Sequence, residues 1–149
     1  MREYDLGEQI AQCLLQFENV WEKKEIDIET DLPDGVYVRA DQELLSLVWN
    51  NLLSNAFKFT GDGGTVGIRL STDEGYATVK VFDTGCGMKP EVGARIFDKF
   101  YQGDPSHATQ GNGLGLALVK RVVDILQGEI GVESVWGQGS TFTVKIRRS

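Results

Sequence analysis

Residues 51–59 read Asn51-Leu52-Leu53-Ser54-Asn55-Ala56-Phe57-Lys58-Phe59. At 100° per residue, Asn51, Asn55 and Lys58 fall within about 60° of one another. They run beside an apolar stripe of Leu45, Val48, Leu52, Ala56 and Phe59. The spacing predicts a long helix over 41–59, with Asp41 at its start. Two carboxamides and an ammonium at the margin of a core need partners, because unpaired buried polar groups are costly. An Asn oxygen is a hard ligand suited to Mg²⁺, and a Lys suits a phosphate. The same residues also read as two Asn bonding local backbone and a Lys reaching solvent.

Downstream, residues 61–64 break the helix, and 65–71 and 76–83 read as a β-hairpin across Thr72-Asp73-Glu74-Gly75. The second arm closes on Asp83-Thr84-Gly85-Cys86-Gly87. By alternation, Asp83 shares its face with Ala77, Val79 and Val81, while Tyr76, Thr78, Lys80 and Phe82 take the other. A carboxylate ending a small apolar face suits the floor of a pocket and can accept from an exocyclic amine. The glycines let backbone approach a flat ligand. Further on, Gly111-Asn112-Gly113-Leu114-Gly115 leads into an apolar helix over 114–127, stopped by Gly128. Glycine-rich backbone at a helix start presents N–H groups to an anion, or acts as a hinge. The G-x-G-x-G spacing is neither the Rossmann fingerprint nor a P-loop. Strands follow over 129–135 and 140–146, joined at Trp136-Gly137-Gln138-Gly139. Ser140 shares the parity of Phe142, Val144 and Ile146 and is placed to offer a hydroxyl near Asp83.

Upstream, Leu6, Ile10, Leu14, Phe17 and Trp21 form one stripe of an amphipathic helix with Asp5 as N-cap. Residues 26–30 and 36–38 read as strands across a turn at Pro33-Asp34-Gly35. The class is α+β: a two-layer sandwich of helices on one face of a mixed sheet. The chain has 149 residues, 15 Lys+Arg against 22 Asp+Glu and a formal net charge of −7. One domain is expected at this length. The negative balance disfavours nucleic acid as a partner. Two distant Cys and one His make neither a disulfide framework nor a zinc site, and a reducing, cytoplasmic setting is expected. No apolar run reaches the ~20 residues of a membrane span. Cys13 reads as a small buried hydrophobe.

Each motif alone is modest, but their order is specific. An N-x-x-x-N helix precedes D-x-G-x-G, then Ile96-Phe97-Asp98-Lys99-Phe100, then G-x-G-L-G-L, then G-x-G-S. This succession resembles the ATP-binding catalytic domain of sensor histidine kinases, and the motifs are similar to that family's N, G1, F and G2 boxes. The resemblance spans essentially the whole chain. It implies a mixed sheet of about five strands with three main helices on one face, and ATP held between the helices and a lid over about 88–112.

By that resemblance Asn55 coordinates Mg²⁺ and Asn51 supports the metal and triphosphate. Lys58 binds phosphate, Phe59 flanks the nucleotide, and Asp83 accepts from the adenine amino group. Gly85 and Gly87 shape the pocket. Gly111, Gly113, Leu114 and Gly115 lie at the lid's end near the phosphates, and Lys99 and Arg95 add charge. Ser140 joins the nucleotide set. Gln102 stands where many relatives carry Arg, as it does in many hybrid-type kinases. ATPases of the same fold carry a Glu where this chain has Asn51, and an amide is no general base. That implies phosphoryl transfer rather than hydrolysis, with Asn51 and Lys58 as the catalytic pair. The lone His107 falls in the lid, outside any acceptor-like helix. The phosphoacceptor is therefore expected on a separate dimerisation and phosphotransfer domain, with a response regulator downstream. The chain is expected to be one monomeric catalytic domain (1–149), its parent a longer sensor of a kind that includes membrane-bound receptors. The same fold also serves anti-sigma-type Ser/Thr kinases and regulatory ATP-binding modules.

Overall fold

The computed structural model describes residues 2–85 and 114–148, with only the backbone of Leu114. In chain order the elements are β1 (Arg2–Asp5), α1 (Leu6–Leu15), α2 (Glu18–Lys24), β2 (Asp27–Asp31), β3 (Tyr37–Ala40), α3 (Gln42–Phe59), β4 (Thr65–Thr72), β5 (Tyr76–Asp83), α4 (Leu114–Ile125), β6 (Glu129–Val135) and β7 (Gly139–Arg147). Five strands form one mixed sheet in the order β2-β4-β5-β7-β6. Strand β2 lies parallel to β4, and the other neighbours are antiparallel. The alternation read from the sequence holds: Ala77, Val79 and Val81 are buried, as are Val66, Ile68 and Leu70 on β4 and Phe142, Val144 and Ile146 on β7. With Leu45, Val48, Leu52 and Ala56 of α3 and Val119, Val122 and Val123 of α4 they form one core. Each large side chain buried there stabilises by roughly 1.5–3 kcal/mol. The opposite face of the sheet carries Arg69, Lys80 and Phe82 and has no helix over it among the described residues.

Two Asp residues start the helices. Asp5 accepts from the Glu8 backbone N–H at 3.1 Å and Asp41 from that of Leu44 at 3.1 Å, each satisfying an end donor. Both caps fall where the sequence put them.

The N-terminal region departs from expectation in two ways. The stripe from Leu6 to Trp21 does not sit on one helix. Helix α1 ends at Leu15, where the Phe17 N–H bonds the Leu14 carbonyl at 3.0 Å, and α2 restarts at Glu18. The break turns Phe17 onto Phe57 of α3, with ring centroids 5.3 Å apart, and brings Trp21 to 6.1 Å from the same ring. A continuous helix trades that aromatic cluster for a few backbone bonds, and the cluster wins. The second departure is the strand expected over 36–38. It runs over Tyr37–Ala40 and pairs with β1 in a separate two-stranded ribbon, not with the main sheet.

Two polar side chains fasten α3. Gln9 of α1, 6% exposed, accepts through Oε1 from Trp49 Nε1 (3.0 Å) and Tyr4 Oη (2.9 Å). Its Nε2 donates to the Gln42 carbonyl (2.7 Å) and Ser46 Oγ (3.0 Å). Lys24, at the end of α2, donates to the Phe57 and Thr60 carbonyls at 2.9 and 3.0 Å. A cation there complements the negative end of α3 and satisfies carbonyls that the last turn leaves open.

Candidate functional site

The last two and a half turns of α3 carry Asn51, Asn55, Lys58 and Phe59, all half-buried. Asn51 Nδ2 donates to the Leu47 carbonyl one turn back at 2.7 Å. The local-backbone reading therefore holds for the nitrogen of Asn51, and its Oδ1 is left to accept or ligate. The Asn55 side chain makes no hydrogen bond with any described residue. Lys58 Nζ lies 5.4 Å from the Phe59 ring centroid, a cation–π approach. Burial pulls the Lys58 ammonium below its ordinary range. A half-buried ammonium beside two underused amide oxygens suits a polyanion carrying a hard cation.

Asp83 closes β5 and is 9% exposed. Its Oδ1 accepts from the Gly85 N–H at 2.8 Å, and the Ser140 backbone N–H also donates to it. Burial pushes the carboxyl up to about 6, with the two backbone bonds acting against that rise. A carboxylate offers about four lone-pair sites, so two backbone donors leave capacity for a further N–H.

The turn after β5 is pressed against the end of α3. A Cβ on Gly85 would overlap the Phe59 carbonyl oxygen. The close approach that this glycine permits is therefore to α3, where the sequence suggested a flat ligand. Thr84 locks the same turn: its N–H bonds the Thr65 carbonyl at 3.0 Å and its Oγ1 accepts from the Thr65 N–H at 2.9 Å. Sequence reading passed over Thr84, although a hydroxyl directly after Asp83 was the available signal. The result sets the acceptor of β5 beside the end of α3.

Ser140 sits opposite Asp83 in the ladder. Its hydroxyl pairs with Ser134 Oγ at 2.9 Å, and it is its backbone N–H that serves Asp83. Gly115 lies in the first turn of α4, which packs against α3. Gly87, Lys99, Gly111 and Gly113 lie outside the described residues, as do the expected lid over 88–112, Gln102 and His107. Among the described residues no group of three or more His, Cys, Asp or Glu is placed to hold a metal. A cation here would rest on the Asn oxygens together with oxygens of its own ligand, which is how Mg²⁺ is commonly held beside phosphates.

Comparison with known proteins gives the family of the fold. The family described as "Histidine kinase-, DNA gyrase B-, and HSP90-like ATPase" matches residues 40–149. The sensor histidine kinase TmoS of Ectopseudomonas mendocina is 35% identical over 148 residues, covering 97% of this chain and 15% of TmoS. The solved structure of the mycobacterial sensor histidine kinase MprB superposes with a TM-score of 0.86 at 29% identity, covering 99% of this chain and 98% of that one. Full-length ShkA, solved in complex with AMPPNP, superposes with a TM-score of 0.84 at 31% identity over 99% of this chain and 31% of ShkA. The chain belongs to this family, and within it is a catalytic domain of the sensor histidine kinase type. It spans 15% to 36% of the length of the first curated relatives it matches.

Proposed function

We propose that this domain binds ATP with Mg²⁺ between the end of α3 and the turn after β5, and donates the γ-phosphoryl group to a histidine on a separate dimerisation and phosphotransfer domain. A response regulator would receive the group afterwards. The observation that carries this reading is Asp83: a buried carboxylate held by two backbone N–H groups, with capacity for an exocyclic amine, pressed against the helix that bears Asn51, Asn55 and Lys58. Gly85, Phe59 and Ser140 frame the adenine end, while Leu114 and Gly115 start the helix assigned to the phosphate end.

Asn55 and the Oδ1 of Asn51 are the groups that would hold Mg²⁺, which supplies charge neutralisation for the triphosphate when bound. Lys58 adds its ammonium to the phosphate oxygens. Transfer forms a bond from the histidine nitrogen to the γ-phosphorus as the bond from that phosphorus to the β–γ bridging oxygen breaks, leaving ADP. The chain's part is positioning and electrostatic stabilisation. Asn51 has no basicity with which to activate water, so hydrolysis is not favoured.

The test mixes this domain with a matching histidine-bearing helix pair and γ-labelled ATP. Acid-labile label on the histidine of that pair is the expected result. Label on Ser or Thr, or release of free phosphate alone, overturns the reading. Asp83→Asn should abolish most ATP binding by calorimetry.

A further inference from the structure

The face of the sheet turned away from the helices carries an unusual charge pattern. On its three central strands the outward positions include Arg69, Lys80, Lys145 and Arg147 and no carboxylate. The carboxylates stand on the two edge strands, with Glu29 and Asp31 on β2 and Glu129 and Glu133 on β6. A basic strip about 10 Å wide, two strand spacings, thus runs between two acidic borders on a chain of net charge −7.

Cross-strand pairing accounts for part of the strip. Arg69 reaches Glu29 at 3.8 Å, an exposed pair of little worth, and its guanidinium lies 5.0 Å from the Phe82 ring centroid. Lys145 faces Glu129 in register and lies 5.5 Å from the Tyr76 ring. Lys80 is different. Its direct ladder neighbours are Arg69 and Thr143, and it makes no ion pair with any described residue. Like charges directly opposite on one sheet face destabilise it. The ring of Phe82 lies across Gly67, where a Cβ would overlap it. Arg69, Lys80, Phe82, Val135 and Thr141 border a cavity of about 490 Å³, which Asp83, Glu133 and Ser140 also line. Of its lining, Val135 is 55% exposed.

We infer that this face is a docking site for an acidic segment of a partner protein, whose carboxylates meet Lys80 and Arg69 while an apolar side chain packs on Phe82 and Val135. Aromatic and Arg groups around a concavity are the usual anchors of protein interfaces. The strip is as wide as one helix or one extended chain. Carboxylates on both borders repel anything broader. They also disfavour a polyphosphate backbone, which needs a continuous run of cations. The inference does not rest on the nucleotide reading: Arg69, Lys80, Phe82 and Thr141 take the outward positions of their strands, although the cavity reaches Asp83 and Ser140 at its end.

The probe is a short amidated peptide of Asp, Glu and Leu, titrated at low salt into the isotope-labelled domain and followed by amide shifts. Two further arms use its Asn/Gln counterpart and a single-stranded DNA oligonucleotide. Saturable shifts at Arg69, Lys80, Phe82 and Thr141 are expected with the acidic peptide alone, weakened at least about tenfold by Lys80→Glu. The titration is run without nucleotide, so failure of the nucleotide reading leaves this result readable. Lys80→Glu should also raise the urea midpoint of the free domain, because it replaces a like-charge opposition by an opposite-charge pair with Arg69. Absence of saturable shifts on this face, tighter binding of the oligonucleotide there, or a lowered midpoint for Lys80→Glu overturns the proposal.

Discussion

Asp83 is held in surroundings that work against its charge. Burial lifts its carboxyl from the ordinary 3.8 to about 6, despite the donors from Gly85 and Ser140. Because the folded value lies above the unfolded one, the native state binds more protons between pH 4 and 6. Stability from this group therefore falls as pH rises through that window and is flat above it. A shift of about two units corresponds to about 3 kcal/mol, carried as a penalty at neutral pH. Asp83→Asn removes the charge and keeps one oxygen acceptor. Chemical denaturation at pH 8 should show that variant more stable by about 1–2 kcal/mol, with the slope between pH 4 and 6 lost. Its ATP affinity should nevertheless collapse, and parent affinity should decline below pH 6 as the acceptor protonates. A destabilised Asp83→Asn variant would mean that the carboxylate is structural. Its place on the helix side of β5 was legible from alternation alone. Its partners were not, since the Ser140 N–H reaches it only through the β5–β7 pairing.

Helix α3 is the element on which the site depends, and residues far away in sequence hold both its ends. Lys24→Met leaves the Phe57 and Thr60 carbonyls without their cation. It should cost about 1–2 kcal/mol in urea unfolding, with Lys23→Met, an exposed neighbour, as the near-neutral control. Gln9→Leu should cost more, about 2–4 kcal/mol, because the Trp49 N–H and the Tyr4 hydroxyl both lose their acceptor. An unchanged midpoint for Gln9→Leu would mean that the network is idle. Neither fastening was visible in the sequence. Gln9 reads as an ordinary polar position and Lys24 as a solvated charge until α1 and α2 are folded against α3. The helix itself, its Asp41 cap and the hairpin of β4 and β5 were legible because local spacing and capping specify them. The break after Leu15 was not, because its cause is the contact of Phe17 with Phe57, 40 residues on. Strand β1 was missed for the same reason: it exists only through its pairing with β3.

At the scale of the molecule, the order of the motifs carried the fold. The charge of the outer sheet face, by contrast, had no meaning until register set Arg69 opposite Lys80. Charge also decides how the nucleotide must be held. The chain carries −7, and Lys58, the cation beside the Asn amides, has its charged form disfavoured by burial. Beyond about 8 Å, salt screens the repulsion between the domain and a bare triphosphate. Nothing screens the phosphates from one another within the site. In the proposed arrangement the adenine end rests on Asp83, an interaction indifferent to divalent ions. Adenosine should therefore bind equally with Mg²⁺ or with chelator, and ATP under chelator should bind no more tightly than adenosine. Adding Mg²⁺ should tighten ATP by roughly tenfold or more, the equivalent of about 1.4 kcal/mol. Asn55→Ala should erase that gain while sparing adenosine, because the amide oxygen is the group that would hold the ion. Calorimetric titration of the two ligands, with and without Mg²⁺, separates these contributions. ATP binding at full strength under chelator would mean that Lys58 and backbone N–H groups neutralise the phosphates unaided, and would remove Asn55 from the metal role.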